Sequence, residues 1–463
     1  AARIGAVACP LMPIFRQREI SFMLARSKAR VLVVPAVFRG RRYADEVADL
    51  LAQDQPGEGP TIDHVVVLGE PGADLPATAG AVSWHHWEEL ATRPAPPAAE
   101  IDAIQPGPTA LTQLLFTSGS TGEPKGVLQR MDALNRAAAM QIRHLGLGDN
   151  DRVWIPTPLA HQTGYLYGMW VAWLLGVPQV LQAVWEGRRG LELIRRHRAT
   201  FVQAATPFLA DLVKAVEETG QETDSLKVFV ATGATVPRGL AEHATRTLGA
   251  AVCGAWGTTE SCLGSLSAPG DEPAKVWGTD GRALDGVRIR ITDDEGRVLA
   301  PGAEGNFEVK SQCLFEGYLD HPEWTADALT PDGWYRSGDL AVIDESGYVR
   351  ISGRVKDVIN RGGEKVPVAE VEQLLHTHPA VEDVAVVAMP DPRLGERACA
   401  FVVASGPIDL AEMQRYLDAR QMAKQYWPER LEVVDSLPRN PAGKIQKFLL
   451  REQARQLVES ERP

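Results

Sequence analysis

A loop rich in glycine and hydroxyl side chains, followed by a lysine, is the first feature of the sequence that could do chemistry. The stretch LLFTSGSTGEPKGV, residues 114–127, leaves an apolar segment and enters this loop. Glycines let the backbone approach a ligand closely, hydroxyls donate hydrogen bonds, and an ammonium group supplies positive charge. These groups together predict a phosphate site formed by Thr117, Ser118, Gly119, Ser120, Thr121, Gly122 and Lys125.

The loop differs from the Walker signature, in which Gly-Lys-Ser/Thr follows a first glycine after four residues. Here Pro124 precedes Lys125 and Gly126 follows it. A surface turn between a strand and a helix is the simpler alternative. Four hydroxyls, three glycines and a lysine within ten residues favour the phosphate site.

The composition is that of a globular protein with more than one domain. Of the 463 residues, 44% are hydrophobic and 23% are charged, which is enough to bury a large core. The net charge of −12 argues against a nucleic-acid partner and against a basic membrane-surface patch. Five cysteines without C-x-x-C spacing predict ordinary thiols in a reducing compartment, so a cytoplasmic location is expected.

No segment is predicted to span a membrane. The most apolar stretch, residues 169–185, is short for a span and is interrupted by Gly176 and Pro178, so a buried helix followed by a strand is expected. The first fifteen residues superficially resemble a signal peptide, but Pro10 and Pro13 interrupt them. The sequence begins without Met, and we expect the native protein to extend further upstream.

The order of sequence patterns predicts an α/β fold with largely parallel sheets, because β-branched runs alternate with helical patterns. After about residue 285 the period changes to two, and two hairpins are expected, with turns at residues 294–296 and 345–347. Further on, a helix, two strands, a helix and a strand are predicted. That order suffices for a small independent α/β domain, whose boundary we place near Lys356.

Six further motifs follow the loop in a fixed order. They are PLAHQTG (158–164), ATGATVP (231–237), AWGTTES (255–261), WYRSGDL (334–340), GRVKDVINRGGEKV (353–366) and LPRNPAGKI (437–445). With the loop, this set resembles the adenylate-forming enzymes, a superfamily of acyl-CoA synthetases, luciferases and adenylation domains of peptide synthetases. The resemblance covers almost the whole chain. The stretch AHQTGYLYG is particularly similar to bacterial CoA ligases for short- or medium-chain fatty acids and for cyclohexanecarboxylate.

The resemblance implies two domains and a two-step reaction. Residues 1–355 would form a large domain that binds ATP and the acid, with parallel sheets and a small β-barrel-like part. Residues 356–463 would form a small, mobile C-terminal α/β domain. The enzyme would use ATP and Mg²⁺ to convert a carboxylic acid to acyl-AMP, and would then transfer the acyl group to coenzyme A.

The same resemblance implies roles for individual nucleotide-binding residues. The loop from Thr117 to Lys125 would hold the β- and γ-phosphates of ATP. Thr259 and Glu260 would contact the α-phosphate and Mg²⁺. Trp256 stands where a tyrosine is more usual and would stack on adenine. The residues implied to line the adenine and acyl sites are Gly233, Ala234, Thr235, Trp256 and Gly257.

Further implied roles concern the ribose and the moving domain. Asp339 would bind the ribose hydroxyls with Arg354 as its basic companion, and Lys444 would catalyse adenylation. Lys356 would be the hinge about which the small domain rotates after the first step. That rotation would present Gly362 and Gly363 to the incoming thiol.

The candidate acyl pocket lacks an acidic residue. The segment PLAHQTGYLYGMWVAW, residues 158–173, contains no Asp or Glu, whereas amino-acid-activating relatives place an aspartate there for the α-amino group. A plain carboxylic acid is therefore the expected substrate. His161 is included in the catalytic set, and the expected pocket residues are His161, Gln162, Tyr165, Trp256, Gly257 and Cys262.

Two alternatives remain open at this stage. An acyl-AMP ligase that loads a carrier protein would share these motifs. Such relatives carry an insertion in the large domain, and the compact segment between Glu260 and Asp339 argues against that alternative. A catalytically silent nucleotide-binding protein would not be expected to keep the whole set of charged residues, namely Lys125, Glu260, Asp339, Arg354 and Lys444. A monomer and a homodimer are both compatible with the sequence.

Overall fold

The chain forms two compact units. The computed structural model describes residues 1–52, 59–69, 75–76, 82–117, 124–233, 236, 238–362, 364–420, 422–439 and 443–460, with the backbone alone at residues 356, 364 and 365. The first unit comprises Ala1–Asp132 with Phe315–Pro322. The second comprises Ala133–Leu314 with Glu323–Pro463.

The first unit contains a parallel three-stranded sheet. His64–Leu68 is its central strand and pairs with Val31–Pro35 on one side and Ser83–His86 on the other. The inward-facing Val65 and Val67 are almost fully buried in the core of this unit. A two-stranded ladder, a 3₁₀ turn and the helices lie around it: Val37–Phe38 with Arg41–Arg42, Ala2–Ile4, Gln17–Ser27, Tyr43–Leu51, Trp87–Ala91 and Ala98–Ala103.

An antiparallel sheet of the first unit holds the chain on both sides of the predicted phosphate loop. Leu111–Thr117 pairs with Lys125–Arg130, so that Thr117 lies opposite Lys125. Gly317–Tyr318 pairs with the other edge of Lys125–Arg130. One ladder therefore fixes the spacing of the two loop ends. The helix Met131–Leu145 follows directly in the chain.

The second unit is built on a seven-stranded sheet with a parallel centre. Phe201, Val202 and Ala204, on an interior strand with a parallel neighbour on each side, are fully buried, as expected for a parallel strand covered on both faces. In order across the sheet, the strands are Arg282–Ala283, Cys262–Leu266, Ala251–Thr258, Val228–Thr232, Phe201–Ala205, Val153–Ile155 and Gln179–Leu181. The helices between these strands include Gly187–His197, Thr206–Thr219, Arg238–Leu248 and Pro273–Gly278. The predicted α/β fold with parallel sheets is confirmed.

A four-stranded antiparallel sheet follows, at the position of the predicted barrel-like part. Its strands, in spatial order, are Arg288–Thr292, Glu304–Lys310, Tyr335–Ile343 and Val349–Arg354, and the helix Pro322–Ala328 lies between the second and third in sequence. The second predicted hairpin is confirmed, since the last two strands pair across the turn that contains Gly347.

The first predicted hairpin forms, but it is short. The Asp293 N–H donates to the Arg297 carbonyl at 3.0 Å, and Val298 bridges to Thr292. Val298 is exposed and Pro301 soon follows, so the returning segment neither buries an apolar face nor continues the ladder. The longer partner of Arg288–Thr292 is Glu304–Lys310, a pairing that the sequence analysis did not predict.

The C-terminal part of the second unit has the predicted order of helix, strand, strand, helix and strand. The two long strands Val381–Asp391 and Gly395–Ala404 form an antiparallel pair with an apolar core on each face. The other elements are Ile359–Arg361, Glu364–Val366, Val368–His376, Leu410–Ala419, Lys424–Tyr426, Arg430–Val433 and Lys447–Ser460. The predicted boundary at Lys356 falls in the 3₁₀ turn Val355–Asp357 and stays a prediction.

The most apolar stretch of the sequence folds as a short helix and an edge strand. A π-helical turn, Tyr165–Trp170, leads into the helix Val171–Leu175, which is followed by the strand Gln179–Leu181. The helix buries Val171 but exposes Trp173, so the predicted buried helix is buried on one face only. Within the described part of the chain, no helix combines the length and apolarity that crossing a membrane requires.

Asp151 ties together the starts of three neighbouring parallel strands. Its carboxylate accepts hydrogen bonds from the Gly148 N–H at 2.8 Å, the Thr200 hydroxyl at 2.8 Å and the Lys227 ammonium at 3.0 Å. Burial raises the pKa of Asp151, but the hydrogen bonds from Gly148, Thr200 and Lys227 outweigh burial and hold that pKa below its usual value. The charged form is therefore the one that stabilises the sheet.

We predict that Asp151→Asn lowers the free energy of unfolding at pH 7 by roughly 1–3 kcal/mol, because a charge-assisted network is lost. The folded-state pKa lies below the unfolded one, so the contribution is present above pH 4 and disappears as the pH falls through the folded pKa. Thermal unfolding of both proteins from pH 3 to pH 8 checks this. A difference in Tm that persists undiminished at pH 3 would contradict it.

Candidate active site

The two ends of the predicted phosphate loop are held close by backbone pairing and packing. The Thr117 hydroxyl donates to the Lys125 carbonyl at 3.4 Å, and the Lys125 ammonium lies 4.7 Å from the centre of the Tyr318 ring. A Cβ atom on Gly126 would come within 3.0 Å of Leu114, so glycine permits this close pairing. The predicted ligands Ser118, Gly119, Ser120, Thr121 and Gly122 lie outside the described residues, and the phosphate site stays a prediction.

The Asp339 carboxylate is the best-defined polar feature of the second unit. Asp339 lies opposite Arg354 on the neighbouring strand, and the Arg354 guanidinium Nε donates to Oδ1 at 3.0 Å. The indole N–H of Trp256 donates to Oδ2 at 2.8 Å. Asp339 is only 4% exposed. The structure therefore brings together the predicted pair Asp339 and Arg354 and adds to it a contact with Trp256 that the sequence did not predict.

Lys444 lies within electrostatic reach of this carboxylate. Part of its side chain faces solvent, but protein surrounds the ammonium, and this burial is the main reason that its pKa falls to about 8. The positive charge of Arg354 also contributes to this lowering, whereas the negative charges of Asp339 and Asp357 oppose it. Lys444 thus shares one electrostatic environment with Asp339 and Arg354, which lie far from it in the sequence.

Thr259 and Glu260 form the tip of a tight hairpin between two strands of the large sheet. The flanking Thr258 and Ser261 hold the turn, since the Ser261 N–H donates to the Thr258 hydroxyl at 3.1 Å. A Cβ on Gly257 would lie 2.4 Å from the Cys262 carbonyl oxygen, so only glycine fits there. The hairpin therefore presents both predicted residues at a fixed place, half-buried at the end of the strand.

Tyr167 supports this hairpin from the π-helical turn, a contact that the sequence analysis did not predict. Its hydroxyl accepts the N–H of Leu263 at 2.6 Å. Cys262, the residue before, has a positive φ of 57° although it is not glycine. A strained backbone at a buried turn persists only where the surroundings hold it, and the Tyr167 contact is one such restraint. The aromatic pattern YLYG was the only available signal.

His161 and its neighbours form an apolar, partly buried segment. Burial lowers the pKa of His161 and raises that of Tyr165 to about 12, so both are neutral at pH 7. The Tyr165 ring stacks on Trp170 with centroids 5.9 Å apart. Gln162 is buried beside them. These features agree with a pocket for uncharged carbon, although the assignment of the pocket residues stays a prediction.

Asp280 is a second acid near Asp339 that the sequence analysis missed. It lines a cavity together with Val236, Gly254 and Ile351, and it accepts the Ile351 N–H at 2.9 Å. The pKa of Asp280 is raised to about 6, mainly by burial and in smaller part by the negative charge of Asp339. None of the sequence motifs includes this residue.

The other predicted site residues are described only in part. Gly233 ends the strand Val228–Thr232 with a φ of 83°, and Gly362 has a φ of 62°, both favourable for glycine. Ala234, Thr235 and Gly363 lie outside the described residues, as does the side chain of Lys356. Their predicted roles stay predictions.

The described residues include no group of three or more His, Cys, Asp or Glu side chains arranged for a metal ion. A Mg²⁺ site in a nucleotide enzyme needs one or two carboxylates, since substrate phosphates and water supply the other ligands. Glu260 at the hairpin tip fits that requirement. The metal role of Glu260 stays a prediction.

Comparison with protein families gives two matches. The sequence profile described as "AMP-binding enzyme" matches residues 1–319. The profile described as "AMP-binding enzyme C-terminal domain" matches residues 370–444. The two matches together extend over most of the chain.

Similar individual proteins include a medium-chain fatty-acid–CoA ligase of Escherichia coli K12, 36% identical over 97% of this chain and 77% of that protein. A salicyl-AMP ligase/salicyl-S-ArCP synthetase of Mycobacterium tuberculosis H37Rv is 34% identical over 96% of this chain and 76% of its own length. The crystal structure of ATP-bound MatB from Rhodopseudomonas palustris superposes with a TM-score of 0.82 at 27% identity, covering 98% of this chain and 85% of that one.

We predict that Asp280→Asn stabilises the protein at pH 7.5 by roughly 1–3 kcal/mol, because the buried carboxyl must otherwise ionise there. The folded pKa of about 6 lies above the unfolded one, so the stability of the parent protein falls as the pH rises from about 4 to 6 and stays lower above that. Asparagine can still accept the Ile351 N–H.

The measurement is Tm of both proteins from pH 4 to pH 8, with Asp151→Asn as the matched control. The Asp280→Asn difference should grow in favour of the variant as the pH rises, whereas Asp151→Asn should stay destabilising by a nearly constant amount, because the contribution of Asp151 is already present above pH 4. A constant Asp280→Asn difference at all pH values would contradict the assignment of a raised pKa.

Proposed function

Because the chain belongs to the AMP-binding enzyme family, we propose that its acid substrate is a short- or medium-chain, or an alicyclic, carboxylic acid. The reaction is the ATP-dependent ligation of a carboxylic acid to coenzyme A through an acyl-AMP intermediate. The observation that carries the proposal for the site is the convergence of Arg354 and Lys444 on the buried carboxylate of Asp339. A cytoplasmic location is part of the proposal.

In the first step, a carboxylate attacks the α-phosphate of ATP, and both groups are negative. The enzyme must therefore supply positive charge and hold the two reactants in line. Lys444, with Arg354 nearby, supplies that charge, and its pKa of about 8 leaves it mostly protonated at pH 7. Asp339 binds the ribose and so fixes the distance of the α-phosphate from Lys444. Glu260 would hold Mg²⁺, which would supply positive charge against the charge that develops on pyrophosphate.

In the second step, the thiol of coenzyme A attacks the mixed anhydride and releases AMP. Lys444 serves only the first step in this proposal. The C-terminal residues from 356 onward rotate about Lys356 and present Gly362 and Gly363 to the thiol. Hinge rotation of this kind is a recognised way to use one site for two reactions.

The character of the acyl pocket supports an uncharged acid. The segment 158–173 contains no acidic residue, and burial keeps His161 and Tyr165 uncharged at neutral pH. An ammonium group placed there without a carboxylate would cost several kcal/mol, on the order of 3–5. An alkyl or alicyclic group instead gains about 0.8 kcal/mol for each buried methylene.

A carrier protein is the second candidate for the thiol acceptor. The salicyl-AMP relative, whose name includes a carrier-protein synthetase, is the observation that favours it. The two acceptors are distinguished by measuring pyrophosphate release across a panel of acids and then searching for the acyl-CoA product by mass spectrometry. Acid-dependent pyrophosphate release without acyl-CoA would favour the carrier protein, and the absence of any acid-dependent release would overturn the proposal.

We predict that Lys444→Ala lowers the rate of acyl-AMP formation by about 10²–10³-fold, as expected when one group that stabilises transition-state charge is removed. Thioester formation from chemically prepared acyl-AMP should keep nearly its full rate. The two half-reactions are measured separately, by pyrophosphate release and by acyl-CoA formation.

The matched control is Lys447→Ala, which removes a cation three residues away that is paired with Glu372 at 2.8 Å. Both half-reactions should survive in that variant. If Lys444→Ala damages the two half-reactions equally, the division of labour assigned to Lys444 is wrong.

We also predict that kcat/KM rises along a series of straight-chain acids until the pocket is filled and then falls, because a filled cavity resists further methylenes. An α- or ω-amino analogue of the best acid should be poorer by at least about 100-fold. A competition at equal concentration between the best acid and its amino analogue measures this. Comparable rates for the two would exclude the plain-acid pocket.

A further inference from the structure

We propose that Trp256 is a positioning residue that orients the Asp339 carboxylate through its indole N–H, and that this orientation governs how strongly the enzyme requires the ribose hydroxyls of ATP. The inference rests on the proposed function, in which Asp339 binds the ribose. It goes beyond stacking of the indole on adenine, because it assigns the N–H group of Trp256 a task of its own.

The first support is the hydrogen bond itself. The indole Nε1 lies 2.8 Å from Asp339 Oδ2, a short distance that is typical of a bond to a charged acceptor. Trp256 is 7% exposed and Asp339 is 4% exposed, so solvent has little access to either group. A buried donor or carboxylate that loses its partner costs more than the bond itself contributes. Both groups are therefore strongly held in this geometry.

The second support is that the indole cannot easily turn away. The indole packs edge-to-face with the Phe307 ring, with ring centroids 4.6 Å apart and planes at 79°. On the next strand, a Cβ on Gly264 would lie 2.6 Å from the ring atom Cζ3 of Trp256. The absent side chain of Gly264 thus makes a slot for the ring. A residue in a fitted slot can set the direction of its single N–H.

The third support is the number of acceptor sites that remain on Asp339. A carboxylate has about four lone-pair positions. Trp256 takes one on Oδ2, and Arg354 takes one on Oδ1 at 3.0 Å. The Asp339 backbone is fixed as well, since its N–H donates to the Ser337 hydroxyl at 3.0 Å. Counting only the hydrogen bonds made by the described residues, one position on each oxygen is left, which matches the two hydroxyls of a ribose.

The alternative is that Trp256 only fills space in the core. Packing and orientation make different predictions for nucleotides that lack one ribose hydroxyl. Loss of packing weakens the enzyme for every nucleotide alike. Loss of orientation weakens it for ATP much more than for 2′-deoxyATP or 3′-deoxyATP, because the deoxy nucleotides already lack one of the hydrogen bonds that the oriented carboxylate makes.

The experiment compares kcat/KM for acid-dependent pyrophosphate release with ATP, 2′-deoxyATP and 3′-deoxyATP. Two variants at residue 256 are used. Trp256→Phe removes the N–H together with ring volume. Replacement of Trp256 by 3-benzothienylalanine keeps the shape and places sulfur where the N–H stood, so a folded protein is available even if the phenylalanine variant unfolds.

We expect both variants to lose about 10–100-fold in kcat/KM with ATP, the range for a hydrogen bond to a charged group. The loss should lie mainly in KM for ATP, and the deoxy nucleotides should lose less than about 3-fold. The preference for ATP over each deoxy nucleotide should shrink accordingly. Equal losses for all three nucleotides would overturn the positioning role and leave only packing.

Trp185 offers a matched control. Its indole N–H donates to Asp211 Oδ2 at 2.7 Å, so Trp185→Phe removes the same kind of bond at a place with no assigned role in the reaction. That variant should keep the parent preference among the three nucleotides.

Failure of the inference and failure of the proposed function have different signatures. If the parent protein releases no pyrophosphate with any acid, the proposed function fails and the inference falls with it. If the parent protein is active and its preference for ATP is unchanged in both Trp256 variants, the inference alone is overturned.

Discussion

A carboxylate held almost out of water is the constraint on which the rest of the site depends. A buried carboxylate such as that of Asp339 is tolerated only if donors of fixed direction surround it. Arg354 is placed by strand pairing, and Trp256 is placed by the hairpin of the large sheet. The antiparallel sheet and the seven-stranded sheet must therefore keep their mutual position for the acid to remain paired, and the proposed ribose site inherits that rigidity.

Close backbone approach is the second requirement, and glycine meets it at a few defined places. Gly257 lets the turn around Glu260 close against the Cys262 carbonyl, and Gly264 admits the Trp256 ring. The strained Cys262 lies between them and is restrained by the Tyr167 contact with Leu263. The polar residues of the site stand on rigid strand ends, while the proposed catalytic Lys444 stands on a loop next to the last helix.

The sequence predicted the parts of the fold that depend on periodicity, and the site residues that belong to ordered motifs. The parallel sheets and the Asp339–Arg354 pair are examples. It missed the contacts that depend on how distant strands meet. The bond from Trp256 to Asp339 joins residues 83 positions apart, and the burial of Asp280 arises from the chain around Ile351. The first hairpin is short, and its longer neighbouring strand, Glu304–Lys310, was not predicted, because local alternation does not say which strand will lie alongside.

The slot beside Gly264 has a consequence for how this protein can change over evolutionary time. An indole at position 256 and any larger residue at position 264 exclude one another, because a Cβ there would overlap the ring. The two positions are therefore coupled, and the order of substitutions matters. A lineage that acquires a side chain at 264 first must give up the tryptophan, whereas one that first exchanges the tryptophan for a smaller ring frees 264 to vary. Grafting tryptophan into a relative with a bulkier residue at 264 would demand both changes at once.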